Sequence, residues 1–408
     1  MTSDKKSNYG WVIVAYGVLC MLVLHYGTVG SQAIFLLPIT QDLGVSTTKL
    51  TLASTYSTIV SFFVTPLAGK LMNDKSLKKL LFIGVLGVGA TMAAQSFVTS
   101  VYAYYAVILI RTVFNPFALM LPFATLAARW FPKESRSFAT SIIFVGISLG
   151  GVLLSNPLTA AIEAFGWRWT YRAYGLVAMI LVSPLALILV KDYPEGYEEK
   201  LKAEEPAENA DKVDFLTLFK DTRFLLIVVG MGCISFIGCS LYHISSYVQS
   251  LGYDAQFGAT VISLYNFVCI FSKMIMGKLF DRKGLRGGII FGAVGIIGSY
   301  LLMTISVFHS SLPLLLIIAF FYGIGNTCQS ITAPSLVSGV FGIKNYSEVY
   351  AKLSTVTMAI SAVSTPVISA LYEKSGNYMA AWGLCLGLSV LSTVCLLMVA
   401  GRRNKGQL

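Results

Sequence analysis

Apolar runs of about twenty residues recur along the whole chain, separated by short polar stretches. About twelve can be counted, centred near Leu22, Val60, Gly87, Phe117, Ile147, Ile180, Gly238, Ile270, Ile297, Ile324, Met358 and Leu391. That length is what a helix needs to cross a bilayer. In hydrocarbon the backbone must satisfy its own hydrogen bonds, so only helices and closed barrels span it, and barrel strands are short and alternating, which these runs are not. The pattern predicts an all-α membrane protein with twelve transmembrane helices. The first run, from Trp11 to about Leu37, is longer than the apolar core of a signal peptide and lacks a small-residue cleavage site, so it is expected to remain as the first span.

Composition agrees with this pattern. Hydrophobic residues make up 56% of the 408 and charged residues 12%, with mean hydropathy +0.73. A soluble protein carries about 25% charged residues. The net charge of +11 raises the question of a nucleic-acid ligand. Its placement argues otherwise. With the amino terminus inside, the outer loops hold Lys49, Arg168, Arg172 and Lys374, while the inner loops and tails hold the great majority of the cations. This is the bias that sets topology, and it predicts a multi-pass protein of the cytoplasmic membrane with both termini cytoplasmic and its basic loops near anionic lipid. The seven cysteines all fall in apolar runs without metal spacing, which points to packing rather than a disulfide framework.

The longest polar segment, from about Lys191 to Arg223, lies near the middle and contains DYPEGYEEKLKAEEPAENADK. It predicts a cytoplasmic linker over 191–222 between six-helix bundles at 1–190 and 223–408. The halves read as distant copies: GKLMNDKSLKK begins at Gly69 after the second span, and GKLFDRKGLR begins at Gly277 after the eighth. Duplicated halves of this kind are a transporter architecture. Gly146 and Gly150 in the fifth span, and Gly288, Gly292 and Gly295 in the ninth, give small faces for close helix packing. Pro116 and Pro122 in the fourth span and Pro334 in the tenth should bend or break helices at matching places.

Two cations fall inside the apolar runs, Arg111 and Lys273. A charge at bilayer depth costs about 2.5–3.5 kcal/mol on insertion scales, so such residues face a partner or a water-filled path. Arg111 lies about ten residues from the outer end of its span, roughly 15 Å deep. The nineteen Asp and Glu residues all fall in termini, loops or span ends. That leaves no obvious cation site and no ordinary acid for proton coupling. No His/Glu metal cluster, phosphate-binding loop or nucleophile elbow appears, so an enzyme, an ATP-driven pump, a cofactor and a metal are not expected.

The segment from Gly277 through Asp281, Arg282 and Gly284 to Arg286 resembles the loop motif of the major facilitator superfamily; its counterpart at Gly69 has Asn73 where the acid sits. The stretch from Ala128 to Gly151, the opening Tyr9 to Trp11, His243 to Tyr247, and Gly166 to Arg172 resemble the monocarboxylate transporter and oxalate/formate antiporter branch. The resemblance covers nearly the whole chain. It implies two pseudo-symmetric six-helix bundles that work by alternating access. It also implies a substrate-binding cation in the eighth span, where Lys273 stands four residues before Gly277. The branch usually has arginine there, and lysine keeps the charge without the planar fork. Cys269 occupies the place where proton-coupled relatives often carry an acid. The interior of the eleventh span has no cation, and Lys352 lies at its cytoplasmic end.

On this reading the substrate-binding candidates are Lys273, Arg111, His243 and His25, with Tyr247, Tyr26, Tyr265, Tyr56 and Tyr322 as cavity-lining rings. Each has a bland alternative. Lys273 can snorkel to the inner interface, Arg111 can bond to a neighbouring helix within its half, and the histidines and tyrosines can simply pack. Gly277, Asp281, Arg282 and Arg286 are the gating candidates, against a solvated loop. The resulting expectation is a secondary transporter, functional as a single chain, moving a small organic anion such as a monocarboxylate by exchange or proton symport. Its partners are that anion, membrane lipid and protons, with no nucleic acid. The rivals are an exporter of amphipathic drugs and a non-transporting membrane receptor or scaffold.

Overall fold

The computed structural model describes residues 3–194, 215–343 and 346–402. Most of the expected linker lies outside the described residues; within it, Phe215–Lys220 is a short helix. No strand occurs among the described residues. Ten helical segments among the described residues are long and apolar enough to cross a membrane. Two of them, Arg136–Leu189 with 54 residues and Thr260–Ser306 with 47, are each long enough for two crossings. Each has a glycine outside helical geometry, Gly166 at φ 78°, ψ 160° and Gly284 at φ 67°, ψ −169°. Positive φ is strained for any residue with a Cβ, so glycine sets where these segments turn. The return is visible in what each arm touches. Gly146 approaches Val18 and Met21, while Tyr174, beyond the turn, donates to the Val23 carbonyl at 2.7 Å. The twelve crossings expected from hydropathy are thereby accounted for.

The described residues fall into two units. One comprises Met1–Pro132, Ile142–Lys212 and Ile343–Thr355; the other comprises Lys133–Ser141, Val213–Gly342 and Val356–Leu408. In the first, Tyr16, Phe123, Phe144 and Phe35 are fully buried, and the Phe35 ring stacks on Tyr171 with centroids 3.9 Å apart. In the second, Tyr247, Tyr300, Tyr378 and Trp382 form an aromatic core, with Tyr378 and Trp382 stacked at 5.1 Å and 12°. The seven cysteines are free thiols, six of them buried and Cys239 half-buried.

Regular α-geometry fails at particular places. Met21–Gly30, which carries His25 and Tyr26, is π-helical, and Cys239–His243 is 3-10. Such stretches often mark functional positions. The fourth span breaks at Leu119 (φ −103°, ψ −131°), between Pro116 and Pro122. The tenth behaves differently: it is interrupted at Thr327 with helical dihedrals (φ −62°, ψ −24°), and Pro334 sits inside the helix Cys328–Val340. Proline at matching positions therefore does not produce matching breaks.

Small-residue faces bring backbones together. A Cβ at Gly146 would lie 2.5 Å from the Val18 carbonyl oxygen, and one at Gly150 would lie 2.8 Å from that of Leu22. At Gly387 a Cβ would meet nothing within 4 Å. Gly146→Ala should lower the melting temperature of the detergent-solubilised protein by several degrees, corresponding to about 1–3 kcal/mol of overpacking. Gly387→Ala should leave it unchanged or slightly higher. Equal melting of the two variants would contradict the close approach.

Candidate functional site

Arg111 stands on the helix Val101–Ala118 and is only 4% exposed. Its Nη1 donates to Gln95 Oε1 at 2.8 Å. Gln95 is the last residue of the neighbouring helix Leu77–Gln95 and is fully buried. Helical side chains lean toward their own amino terminus, so this arginine is drawn along its helix toward that end. The phenols of Tyr104 and Tyr171 lie within electrostatic range of the guanidinium.

Lys273 belongs to the second unit, in the segment Thr260–Ser306, and is 5% exposed. Cys269, one turn earlier, is an electrostatic neighbour, and its Sγ donates to the Gly323 carbonyl at 3.2 Å. Beyond the two cations inside the apolar runs, Arg129 and Lys352 are also buried. Arg129 donates to the Met72 carbonyl at 2.8 Å and lies over the Tyr193 ring, and Lys352 pairs with Glu348 at 2.7 Å. Both occur near the ends of apolar segments, where protein contacts enclose a charge that hydropathy alone assigns to water.

The histidines sit in the irregular stretches. His25 is half-buried in the π-helical turn. His243 ends the 3-10 turn, bonded to the backbone of Thr365 and edge-on to Tyr378 at 6.2 Å, while its Nε2 has no partner among the described residues.

The tyrosines separate into two groups. Tyr26 bonds to Ser155 Oγ at 2.6 Å, and Tyr247 donates to the Met303 carbonyl at 3.0 Å and also meets Ser306. Asn326 Nδ2 donates to the Tyr265 hydroxyl at 2.7 Å, and Tyr322 shares Ser240 Oγ with Tyr300 at 2.9 and 2.6 Å. These four rings are buried with their hydroxyls engaged. Tyr56 is 40% exposed and packs edge-on to Tyr105. The second unit thus gathers Lys273, Cys269, Tyr265, Asn326 and Tyr322 on neighbouring helices. Gln95, Ser240 and Asn326 are not among the sequence candidates; each stands near other polar residues, Ser96, His243 and Thr327 among them, so no local pattern singles it out.

The repeated loop motifs make repeated contacts. A Cβ at Gly277 would lie 2.5 Å from Ser141 Oγ and 2.8 Å from the Ser137 carbonyl oxygen; one at Gly69 would lie 2.6 Å from the Ser347 carbonyl oxygen and against Ala351. Four residues beyond each glycine the copies diverge. Asp281 accepts the backbone N–H groups of Ser137 at 2.9 Å and Phe138 at 2.7 Å, at the start of the helix from Arg136. This places an anion where helix amides and dipole favour one. Asn73 instead meets the hydroxyl of Ser347. Arg282 and Arg286 are exposed and make no ion pair among the described residues.

The sequence matches the Major Facilitator Superfamily over residues 18–350 and 259–408. The chain belongs to that superfamily and is a multi-pass membrane transporter, not an enzyme. It is 26% identical over 293 residues to the MFS-type transporter pynF of Aspergillus niger, covering 70% of this chain and 64% of that protein. It is 23% identical over 423 residues to human monocarboxylate transporter 12, covering 97% and 81%. Among solved structures, the proton:xylose symporter XylE bound to 6-bromo-6-deoxy-D-glucose superposes with a TM-score of 0.77 at 12% identity, covering 96% of each chain. At that identity the likeness shows the fold.

Asp281→Ala should destabilise the solubilised protein by about 1.5–3 kcal/mol, the range for hydrogen bonds to a charged group. Thermal melting unchanged by the substitution would show that the two amide contacts contribute nothing.

Proposed function

We propose that this transporter moves a small organic anion, a monocarboxylate above all, across the cytoplasmic membrane by alternating access, with both termini in the cytoplasm. The observation that carries this reading is Lys273, a cation 5% exposed within an apolar 47-residue segment. An ammonium held in a low-dielectric interior attracts an anion far more strongly than one in water. Lys273 draws in the carboxylate, the hydroxyl- and amide-bearing side chains beside it shape the pocket, and Arg111, in the other unit, is the second substrate-binding candidate. The human relative is a monocarboxylate transporter by name, which favours the same substrate class. Gly277 and Asp281 act in gating, with Arg282 and Arg286 completing the motif.

Coupling follows from the charges. An empty site that must bury its cations resists occlusion, and a bound anion offsets part of that cost. Exchange is therefore faster than net uptake. A histidine is the in-span residue type that titrates near neutrality, so His243 and His25 are the groups through which a proton enters.

The exporter reading rests on a different feature, an apolar groove of about 640 Å³ lined by Leu158, Phe165, Trp169 and Val177. It predicts flux of uncharged amphiphiles.

In proteoliposomes, Lys273→Ala should abolish uptake of labelled L-lactate and pyruvate in a normally folded protein, while Lys273→Arg keeps substantial activity. Wild-type flux and affinity in the alanine variant would remove Lys273 from the site. Preloading with unlabelled lactate should accelerate uptake strongly, and His243→Gln should weaken any component driven by a pH gradient. Net uptake as fast as exchange, indifferent to both histidines, would contradict the coupling scheme.

A further inference from the structure

The surroundings of Arg111 hold more hydrogen-bond donors than acceptors. A guanidinium has five N–H donors and no acceptor. Among the described residues one of the five is committed, to Gln95 Oε1. The partner adds a donor of its own, because Gln95 Nε2 faces the Tyr104 phenol in a loose contact and has no acceptor of ordinary geometry among the described residues. One turn further along the arginine's own helix, the buried Asn115 Oδ1 has no partner among the described residues, so the guanidinium does not reach it.

Charge is in excess as well. Ser96, next to Gln95, accepts from Arg168 Nη1 at 3.1 Å through its carbonyl and from Arg172 Nε at 3.3 Å through its hydroxyl. Three guanidiniums therefore surround one end of the helix Leu77–Gln95. Asp42 is the carboxylate in ion-pair contact with this group among the described residues, and it is held by Arg168 at 2.7 Å. Arg111 is held by a neutral amide.

We propose that Arg111 and Gln95, with Tyr104 at their edge, form a buried subsite for a small oxyanion such as a carboxylate, and that Gln95 is its positioning residue. The amide fixes one corner of the guanidinium without cancelling its charge and offers its own N–H to the same anion. A glutamate in that place would hold the arginine more firmly and extinguish the attraction. Water satisfies surplus donors but carries no charge, so an anion is the ligand that answers both the donors and the field. As a part of carboxylate transport the subsite rests on the function proposed above; as an anion site it stands on the local geometry.

The test is Gln95→Glu, which preserves shape and hydrogen-bonding reach. Melting of the purified full-length protein is followed with and without sodium lactate, and with sodium nitrate as an inorganic probe, alongside lactate exchange in proteoliposomes. The ligand-free variant should melt at or above the wild-type temperature, because Arg111 gains an ion pair. The melting rise produced by lactate or nitrate should be lost, and KM for lactate should increase about ten-fold with turnover largely preserved, as for removal of a contact made equally in the ground and transition states. Arg111→Lys should also raise KM. A merely structural arginine would leave KM unmoved in Gln95→Glu, and wild-type anion stabilisation together with wild-type KM would overturn the subsite. Absence of carboxylate flux in the wild-type protein would refute the transport reading alone. The nitrate melting shift and its loss in Gln95→Glu then decide the subsite, for or against.

Discussion

Burying a cation in a segment apolar enough to cross a bilayer is the constraint on which the other features depend. The cost is several kcal/mol unless partners offset it. Arg111 meets an amide, Lys273 lies a turn from a thiol, Arg129 donates to a backbone carbonyl, and Lys352 pairs with a carboxylate, Glu348, on its own helix. The amide on Arg111 orients the charge without neutralising it, which keeps it available to a ligand. A carboxylate partner would produce a more self-contained protein with less field to offer.

Glycine is what allows the helices to approach closely. Gly146 and Gly150 admit the backbone of the first span, and Gly277 and Gly69 admit Ser137 and Ser347. The last two contacts are copies of each other within a duplicated chain, yet one ends on an anion over helix amides and the other on an amide beside a hydroxyl. The copies keep the steric part of the motif and differ in the electrostatic part. A charged acceptor at a helix start is the stronger of the two, so the contact at Asp281 is the firmer one.

Much of the fold was legible in the sequence because a bilayer demands about twenty apolar residues per crossing and leaves little freedom. The two longest segments, with Gly166 and Gly284 as their turns, follow from the same rule. Side-chain partnerships were less legible. Hydropathy marks Arg111 as buried but cannot name Gln95, sixteen residues away on another helix. Arg129 and Lys352 look solvated because they stand near span ends, and only the fold encloses them. The matching prolines suggested matching breaks, but a proline inside a helix can be accommodated by local adjustment, as at Pro334, or accompany a true break, as near Leu119. A tyrosine in a span is visible by type alone, and type does not reveal that Tyr26, Tyr247, Tyr265 and Tyr322 have their hydroxyls engaged by neighbouring helices.

The central claim is that charge on the substrate, not its shape alone, is what the buried cations select. It is tested most directly by comparing labelled lactate with lactamide, its uncharged analogue of nearly equal size, for exchange by the wild-type protein in proteoliposomes at neutral pH. The account predicts saturable exchange of lactate and none of lactamide. Equal carriage of both would contradict it.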